Sequence, residues 1–142
     1  RRAYAEIEAA ARGHELRGVL VQPMIAGVEV IVGARIDPVV GPVVLVGSGG
    51  VLVELMQDSV AALAPVPVAQ AKAMLARLKG YKLLTGFRGS APVNLDALAD
   101  AIARVSELAA DLAGEIEELD VNPLRCGPQR LAAVDALIGR RV

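Results

Sequence analysis

The amino-acid sequence predicts an α+β domain with a largely antiparallel sheet and helices packed on one face of that sheet. Three observations predict this class: the chain has the length of one domain, its composition is globular, and its strand patterns follow one another as hairpins. The 142 residues fit a single domain over residues 1–142, a size that buries a substantial core. Apolar residues make up 54% of the chain and charged residues 22%, far from a disordered composition.

Composition and charge exclude several classes of protein. The core must consist of Val, Leu, Ile and Ala, because the chain has two Tyr, one Phe and no Trp. The formal net charge is −1, with acids and bases mixed along the chain, so we expect no nucleic-acid partner. Cys126 is the only cysteine, which rules out an internal disulfide and predicts a cytoplasmic location. The longest uncharged run, residues 38–53, is too short and too rich in Gly and Pro to span a membrane.

The first half of the chain predicts one helix followed by three strands. Residues 4–12 favour a helix, and residues 17–25 form an apolar run that predicts a strand. Residues 28–37 alternate strictly between apolar and other positions, and this period of two predicts a half-buried strand. Residues 42–46 predict a third strand, which the Gly-Ser-Gly-Gly sequence at 47–50 ends.

The second half predicts two helices and a final hairpin. Residues 51–64 are ambiguous between strand and helix. Apolar spacings of three and four predict two helices, the second of which has Asn94 as a good N-cap. A Gly-Pro turn at 127–128 separates the last two strands. The predicted elements are helices at 68–79 and 95–113, a short segment within 81–93, and strands at 115–122 and 130–137.

The last hairpin carries the most informative set of polar side chains. Asp120 and Asn122 share the polar face of the first strand, and Asp135 is a single acid in the apolar returning strand. If the turn centres between Pro128 and Gln129, Asn122 lies directly opposite Asp135, with Cβ atoms about 5 Å apart. Oxygen ligands at that separation suit Mg²⁺ held together with substrate phosphates. The alternative is a solvated polar strand face, against which the cost of burying an unpaired Asp135 argues.

Two glycine-flanked turns are candidates for phosphate binding. Backbone N–H groups of the turn containing Gly49 and Gly50 can face a phosphate, although an ordinary hairpin turn is the alternative. Glu54 and Asp58 lie a few residues beyond that turn. Arg88 lies between Gly86 and Gly89, where its guanidinium can clamp a phosphate or remain a surface cation.

The connection before the second strand is a candidate for base recognition. Gln22, Pro23 and Met24 precede Glu29 at a junction whose backbone groups can read a purine edge. Met24 can equally belong to the core. His14, the only histidine, lies in a polar connector and is interpreted as a surface residue without a catalytic role.

Taken together, these segments resemble the second half of the ATP-grasp domain of ADP-forming acyl-CoA synthetases, a family that includes acetyl-CoA synthetases and is related to the succinyl-CoA ligase beta subunit. The resemblance runs from about residue 4 to the end of the chain and preserves the order of the motifs. Its most specific parts are residues 18–58 and the pair ELDVNPL and VDA. The matching segments are GVLVQPM, GVEVIVGARIDPVVGPVVLVGSGGVLVEL, LLTGFRG, ELDVNPL and AAVDALI.

The resemblance implies a role for each matched residue. Asn122 and Asp135 resemble the family's magnesium ligands, with Asp120 beside them. The segment from Gln22 to Met24 resembles the hinge that contacts adenine, and Glu29 resembles the acid near the ribose of ATP or ADP. The remaining matches concern phosphoryl transfer: Gly49, Gly50 and Glu54 in the loop over the phosphates, and Arg88 at the transfer site.

The resemblance further implies that this domain works together with other parts of a synthetase. The N-terminal ATP-grasp lobe, the CoA-binding domains and the phosphohistidine segment of such enzymes have no counterpart in the sequence, so we expect this lobe alone to be inactive. Two functions remain open. One is the nucleotide- and magnesium-binding half of a ligase that converts acyl-CoA, ADP and phosphate to acid, CoA and ATP. The alternative is the non-ligating ATP-grasp-like region of a protein lysine acetyltransferase.

Overall fold

A computed structural model of the chain describes residues 2–50 and 57–141. Within these residues six strands form one antiparallel sheet, and four helices accompany it. The helices are α1 Arg2–Ala10, α2 Val68–Ala76, α3 Tyr81–Leu84 and α4 Leu95–Asp111. The strands are β1 Val28–Asp37, β2 Gly41–Ser48, β3 Ser59–Leu63, β4 Ile116–Cys126, β5 Leu131–Ala133 and β6 Ala136–Arg140.

The sheet has the order β3-β2-β1-β4-β5, and β6 pairs with the same edge of β4 as β5 does. Every pairing is antiparallel, which confirms the predicted sheet type. None of the helices in the described part of the chain has the length and apolarity needed to cross a membrane.

The core lies between one face of the sheet and the helices α2 and α4, as predicted. Alternate residues of β1, such as Val30 and Val32, point into it, and Leu98 and Ile102 of α4 pack against them with no exposed surface. Each such side chain stabilises the fold by about 1.5–3 kcal/mol relative to an exposed one. The predicted cap of α4 is confirmed, because the Asn94 side chain accepts a hydrogen bond of 3.0 Å from the Ala97 amide.

The predicted strand at residues 17–25 is wrong. These residues form no regular secondary structure, and the side chains of Leu20, Val21 and Met24 are 81%, 87% and 98% exposed. An apolar run favours burial, but a strand also needs a neighbour to pair with its backbone groups. The Met24 core alternative is therefore wrong as well.

The predicted pairing of the last hairpin is correct, but the returning strand is not continuous. Val121 pairs with Ala136 and Leu124 with Ala133, the register expected from a turn centred after Pro128. The returning chain separates into β5 and β6 opposite Pro123, which has no N–H to donate across the ladder.

Backbone hydrogen bonds hold the two sides of this hairpin together across the break. Val134 donates to Pro123 O at 3.0 Å, and the Asn122 amide donates to Asp135 O at 3.2 Å. The predicted helices also end earlier than expected, at Ala76 and Asp111.

Candidate functional site

The antiparallel order brings the segment before β1, with Glu29, and the turn containing Gly49 and Gly50 to one end of the sheet. Val28 at the start of β1 pairs with Cys126 at the end of β4, and Val30 pairs with Ser48 at the end of β2. The segment before β1, the turn after β2 and the turn after β4 therefore all lie at this end. Chain topology alone assembles the predicted base, ribose and phosphate segments in one region.

Glu29 lies at this end in an ion pair with Arg125. The Arg125 Nη2 atom is 2.5 Å from Glu29 Oε1, and the two side chains are only 32% and 27% exposed. Arg125 Nη1 also donates to Gly27 O at 3.2 Å, which fixes the turn before β1. The sequence interpretation missed Arg125, although opposite charges on directly paired residues stabilise a sheet and the register of β1 on β4 would have identified it.

Glu29 also contacts the turn that was predicted to bind phosphate. The Gly49 amide donates to Glu29 O at 2.7 Å. A Cβ atom on Gly49 would lie 2.5 Å from Glu29 Cβ, so only glycine permits this approach of β2 to β1. A Cβ on Gly50, whose φ is +90°, would lie 3.2 Å from Glu29 Oε2. The structure thus brings Glu29, Gly49 and Gly50 together.

The segment predicted to contact adenine borders a cavity of about 300 Å³. Pro23, Met24 and their two successors form one side of it, and residues 127–130 form the other. Gly27 anchors the segment, because a Cβ there would lie 2.6 Å from Cys126 O. Gln22, which immediately precedes the lining residue Pro23, is exposed. A cleft lined by apolar side chains together with Gln129 and Arg130 can accept a flat ring.

The three candidate magnesium ligands lie on and beside β4. Asp120 is half-buried, and its Oδ1 lies 3.4 Å from where a Cβ on Gly33 would be, in a shallow cavity of about 280 Å³. This cavity is on the face of the sheet opposite the core. Asn122 is the backbone partner of Asp135, as predicted.

Asp135 itself is exposed, so the expectation of a buried, unpaired carboxylate is wrong. Because Pro123 interrupts the ladder, Asp135 lies between β5 and β6 and its Oδ1 accepts a hydrogen bond of 2.9 Å from the Ala136 amide. No group of three His, Cys, Asp or Glu side chains within residues 2–50 and 57–141 converges to hold a metal. Two carboxylates and one amide fit a cation that is also held by substrate phosphates.

Arg88 lies in the predicted turn, two residues before Ser90. Its φ is +51° and its guanidinium lies 5.4 Å from the centre of the Phe87 ring. The Ser90 hydroxyl closes the turn by accepting from the Phe87 amide at 3.0 Å. Arg88 is exposed, and its described contact is this ring. Glu54, the other predicted catalytic residue, lies outside the described residues.

Asp58 is a buried carboxylate at the same end of the sheet, only 5% exposed. It accepts hydrogen bonds from Ser48 Oγ at 2.5 Å, from the Lys79 amide at 2.7 Å and from the Gly80 amide at 2.8 Å. Burial raises the pKa of Asp58, but these hydrogen bonds outweigh burial and bring the pKa below its usual value. The sequence offered only the position of Asp58 shortly after the glycine turn.

Known proteins of similar sequence and structure indicate the family of this chain. The chain is 44% identical over 123 residues to the beta subunit of acetate–CoA ligase (ADP-forming) I of Pyrococcus furiosus, a match that covers 86% of the chain and 53% of the relative. It is 42% identical over 111 residues to 4-hydroxybutyrate–CoA ligase (ADP-forming) of Nitrosopumilus maritimus, covering 78% of the chain and 16% of that protein. The chain thus spans about half the length of the first relative and a smaller part of the second.

Solved structures of the dinucleotide-forming acetyl-CoA synthetase 1 of Ca. Korarchaeum cryptofilum are also similar. One, with coenzyme A, acetyl-coenzyme A and a phosphorylated phosphohistidine segment, has a TM-score of 0.81 at 38% identity, covering 99% of this chain and 64% of that one. Another, with coenzyme A and Mg-AMPPCP, has a TM-score of 0.73 at 42% identity, covering 86% and 55%. The family described as the ATP-grasp domain matches residues 1–139. The chain therefore belongs to the ATP-grasp domain family.

Proposed function

We propose that this chain is the nucleotide- and magnesium-binding lobe of an ADP-forming acyl-CoA synthetase. In the complete enzyme the reaction converts acyl-CoA, ADP and phosphate to acid, CoA and ATP through a phosphohistidine. The observation that carries the proposal is the meeting of Glu29 with Gly49 and Gly50 beside the 23–26 segment, in a domain of the ATP-grasp family. Named relatives that are ADP-forming ligases favour this function over a non-ligating acetyltransferase region.

The nucleotide binds along the end of the sheet where these segments meet. The segment from Gln22 to Met24 receives the adenine ring, and the apolar surface exposed there suits a flat base. Glu29, held by Arg125, accepts hydrogen bonds from the ribose hydroxyls. Its position is fixed before the nucleotide arrives, which reduces the entropy lost on binding.

The phosphates lie against the turn after β2. The Gly49 amide already donates to Glu29 O, so the contact with phosphate is assigned to the Gly50 amide, while Gly49 sets the position of the turn. Arg88 and Glu54 are assigned to the transferring phosphoryl group. The turn that carries Arg88 is exposed and therefore open to a ligand. A guanidinium binds phosphate oxygens in a bidentate manner.

Asn122, Asp135 and Asp120 hold the magnesium ion of the nucleotide. A bound Mg²⁺ supplies charge neutralisation for the phosphate oxygens. Asp135 is suited to this role because its carboxylate is exposed at the break between β5 and β6 and, among the described residues, is bonded only to the neighbouring Ala136 amide. Asn122, its backbone partner, contributes a neutral oxygen and so limits the repulsion between ligands.

The test is the Asp135→Asn variant of the complete synthetase that contains this lobe, compared with Glu107→Gln. Glu107 is an exposed acid of α4 in the helix layer, so its variant makes the same change of charge away from the site. We expect Asp135→Asn to abolish magnesium-dependent turnover with its melting temperature unchanged or slightly raised, and Glu107→Gln to retain turnover.

Two results would contradict this proposal. An Asp135→Asn protein that melts several degrees lower but turns over normally per folded molecule would assign Asp135 a structural role. Complete protein that has no nucleotide-dependent ligase activity but transfers acetyl groups to lysine would favour the acetyltransferase alternative.

A further inference from the structure

The carboxylate of Asp58 joins three separate segments of the chain. It lies at the end of the sheet where β1 begins at Val28, β2 ends at Ser48 and β4 ends at Cys126, which we call the site end. Ser48, the last residue of β2, donates its hydroxyl proton to Asp58 Oδ2, and the backbone also pairs, with the Ser48 amide donating to Asp58 O at 3.1 Å. The amides of Lys79 and Gly80 donate to the two carboxylate oxygens from the other side. We call Ser48, Asp58, Lys79 and Gly80 the Asp58 junction.

The Asp58 junction is closely packed as well as hydrogen-bonded. A Cβ atom on Gly80 would lie 2.5 Å from Ser48 Oγ and 3.1 Å from Asp58 Oδ2. Any side chain at position 80 would therefore displace the Ser48 hydroxyl from the carboxylate. A buried anion with charge-assisted bonds to two amides and a hydroxyl defines its surroundings more tightly than apolar contact does.

The junction lies next to both segments assigned to the phosphates. Ser48 immediately precedes Gly49, whose amide bonds to Glu29 O, and Asp58 follows the same segment on its other side. Gly80 immediately precedes α3, which leads directly to the turn containing Arg88. One carboxylate thus connects the base of the glycine turn to the base of the arginine turn.

We propose that Asp58 is a positioning residue for phosphate binding, one that holds the Gly49–Gly50 turn and the segment leading to Arg88 in a fixed relation. Asp58 is itself buried and acts through the backbone and Ser48, so it does not touch the nucleotide. The proposal rests on the proposed function, since it concerns where the two phosphate-binding segments lie relative to each other. Small displacements of binding groups reduce rates by about 100-fold.

The experiment compares Asp58→Asn with a matched control in the complete synthetase that contains this lobe. Asn keeps the shape of the side chain, but its amide group cannot accept two backbone N–H bonds and a hydroxyl. The control is Ser106→Ala, which removes the hydroxyl of a fully buried residue in the helix layer, a group that accepts from the Val66 amide at 2.9 Å. Both variants lose buried hydrogen bonds, but only one is at the site end.

We expect Asp58→Asn to raise the KM for magnesium nucleotide or lower kcat/KM by about 10- to 100-fold per folded molecule, with the KM for CoA unchanged. Ser106→Ala should retain the wild-type nucleotide KM and kcat/KM, while its melting temperature falls. Gly80→Ala and Ser48→Ala, which leave the carboxylate in place, should shift the nucleotide KM in the same direction. If Asp58→Asn does not fold, Gly80→Ala and Ser48→Ala provide the test.

Two results would overturn the proposal, and they differ from each other. If the wild type binds magnesium nucleotide and the variants of the Asp58 junction have the same nucleotide KM as Ser106→Ala, Asp58 has only a structural role. If the wild type itself binds no magnesium nucleotide by calorimetry, the proposed function fails and the positioning role fails with it.

Discussion

Replacing Arg125 with Met tests whether the ion pair with Glu29 stabilises the site end of the sheet. The substitution keeps most of the apolar stem but removes the contact of 2.5 Å to Glu29 and the hydrogen bond of 3.2 Å to Gly27 O. An exposed ion pair contributes about 0.2–1 kcal/mol, and losing one partner of a fully buried pair costs about 3–5 kcal/mol. With side chains 27% and 32% exposed, the Glu29–Arg125 pair lies between these limits.

We therefore expect a coupling energy of about 1–2 kcal/mol in a double-mutant cycle of Arg125→Met and Glu29→Gln, measured by denaturant unfolding. The free energy of unfolding of the single Arg125→Met variant should fall by about 1 kcal/mol more than this coupling energy. The variant also loses the hydrogen bond to Gly27 O, whose contribution cancels in the double-mutant cycle. A cycle on Asp100 and Arg104 of α4 is the control. That pair has a similar distance of 2.8 Å but side chains that are 51% and 76% exposed.

The control cycle should give a coupling of about 0.5 kcal/mol or less. If the two cycles gave equal coupling, partial burial would not strengthen the Glu29–Arg125 pair, and the argument that Arg125 holds Glu29 in place would be refuted. Added salt should reduce the coupling of the control pair more than that of the Glu29 pair, because exposed charges are screened more strongly.

Three further predictions concern other features of the chain. The isolated chain should bind ATP with a dissociation constant well above micromolar, weaker than about −8 kcal/mol, because it spans only about half the length of its ADP-forming ligase relative; micromolar binding in calorimetry would contradict this. The Cys126 thiol, fully buried with a pKa raised to about 12 by burial, should not react with thiol reagents at pH 8 until the chain is unfolded; rapid labelling of native protein would show that the end of β4 opens. Asp58→Asn should cost about 2–4 kcal/mol of unfolding free energy, since bonds to a buried carboxylate contribute about 1.5–3 kcal/mol each. Because the folded pKa of Asp58 is lowered, this difference should be constant above the ordinary carboxyl pKa of 3.8 and should shrink as the pH falls through the folded pKa; a difference that grows with acid would contradict the sign.

The parts of the fold that were predictable from sequence are those governed by local pattern. Strand β1 has the predicted bounds because its period of two is unbroken from Val28 to Asp37. The start of α4 was predictable because Asn94 has a specific capping role. The register of the last hairpin followed from a short turn, and it paired Asn122 with Asp135.

The failures concern properties that depend on distant parts of the chain. Residues 17–25 have strand composition but no pairing partner among the described strands, and composition does not report partners. The break that exposes Asp135 depends on Pro123 in the opposite strand, which cannot donate to the ladder. A pattern within either strand alone does not reveal it.

The residues missed at the site have the same explanation. Arg125 matters because β4 pairs with β1 in a register that places it opposite Glu29. Asp58 matters because the end of β2 and the start of α3 both reach its carboxylate. A carboxylate in a short polar stretch of sequence looks like a surface residue until the groups that donate to it are known.

A crystal structure of the complete synthetase that we propose contains this lobe, with magnesium and a non-hydrolysable ATP analogue, tests the central claim most directly. We predict a magnesium ion with an oxygen of Asp135 or Asn122 about 2.0–2.1 Å away, and nucleotide phosphates against the Gly50 amide. The adenine ring should lie beside Met24, with the ribose hydroxyls at Glu29. A nucleotide bound elsewhere on this lobe, or a metal held with Asp135, Asn122 and Asp120 all remote from it, would contradict the assignment of the site end of this sheet as the nucleotide site.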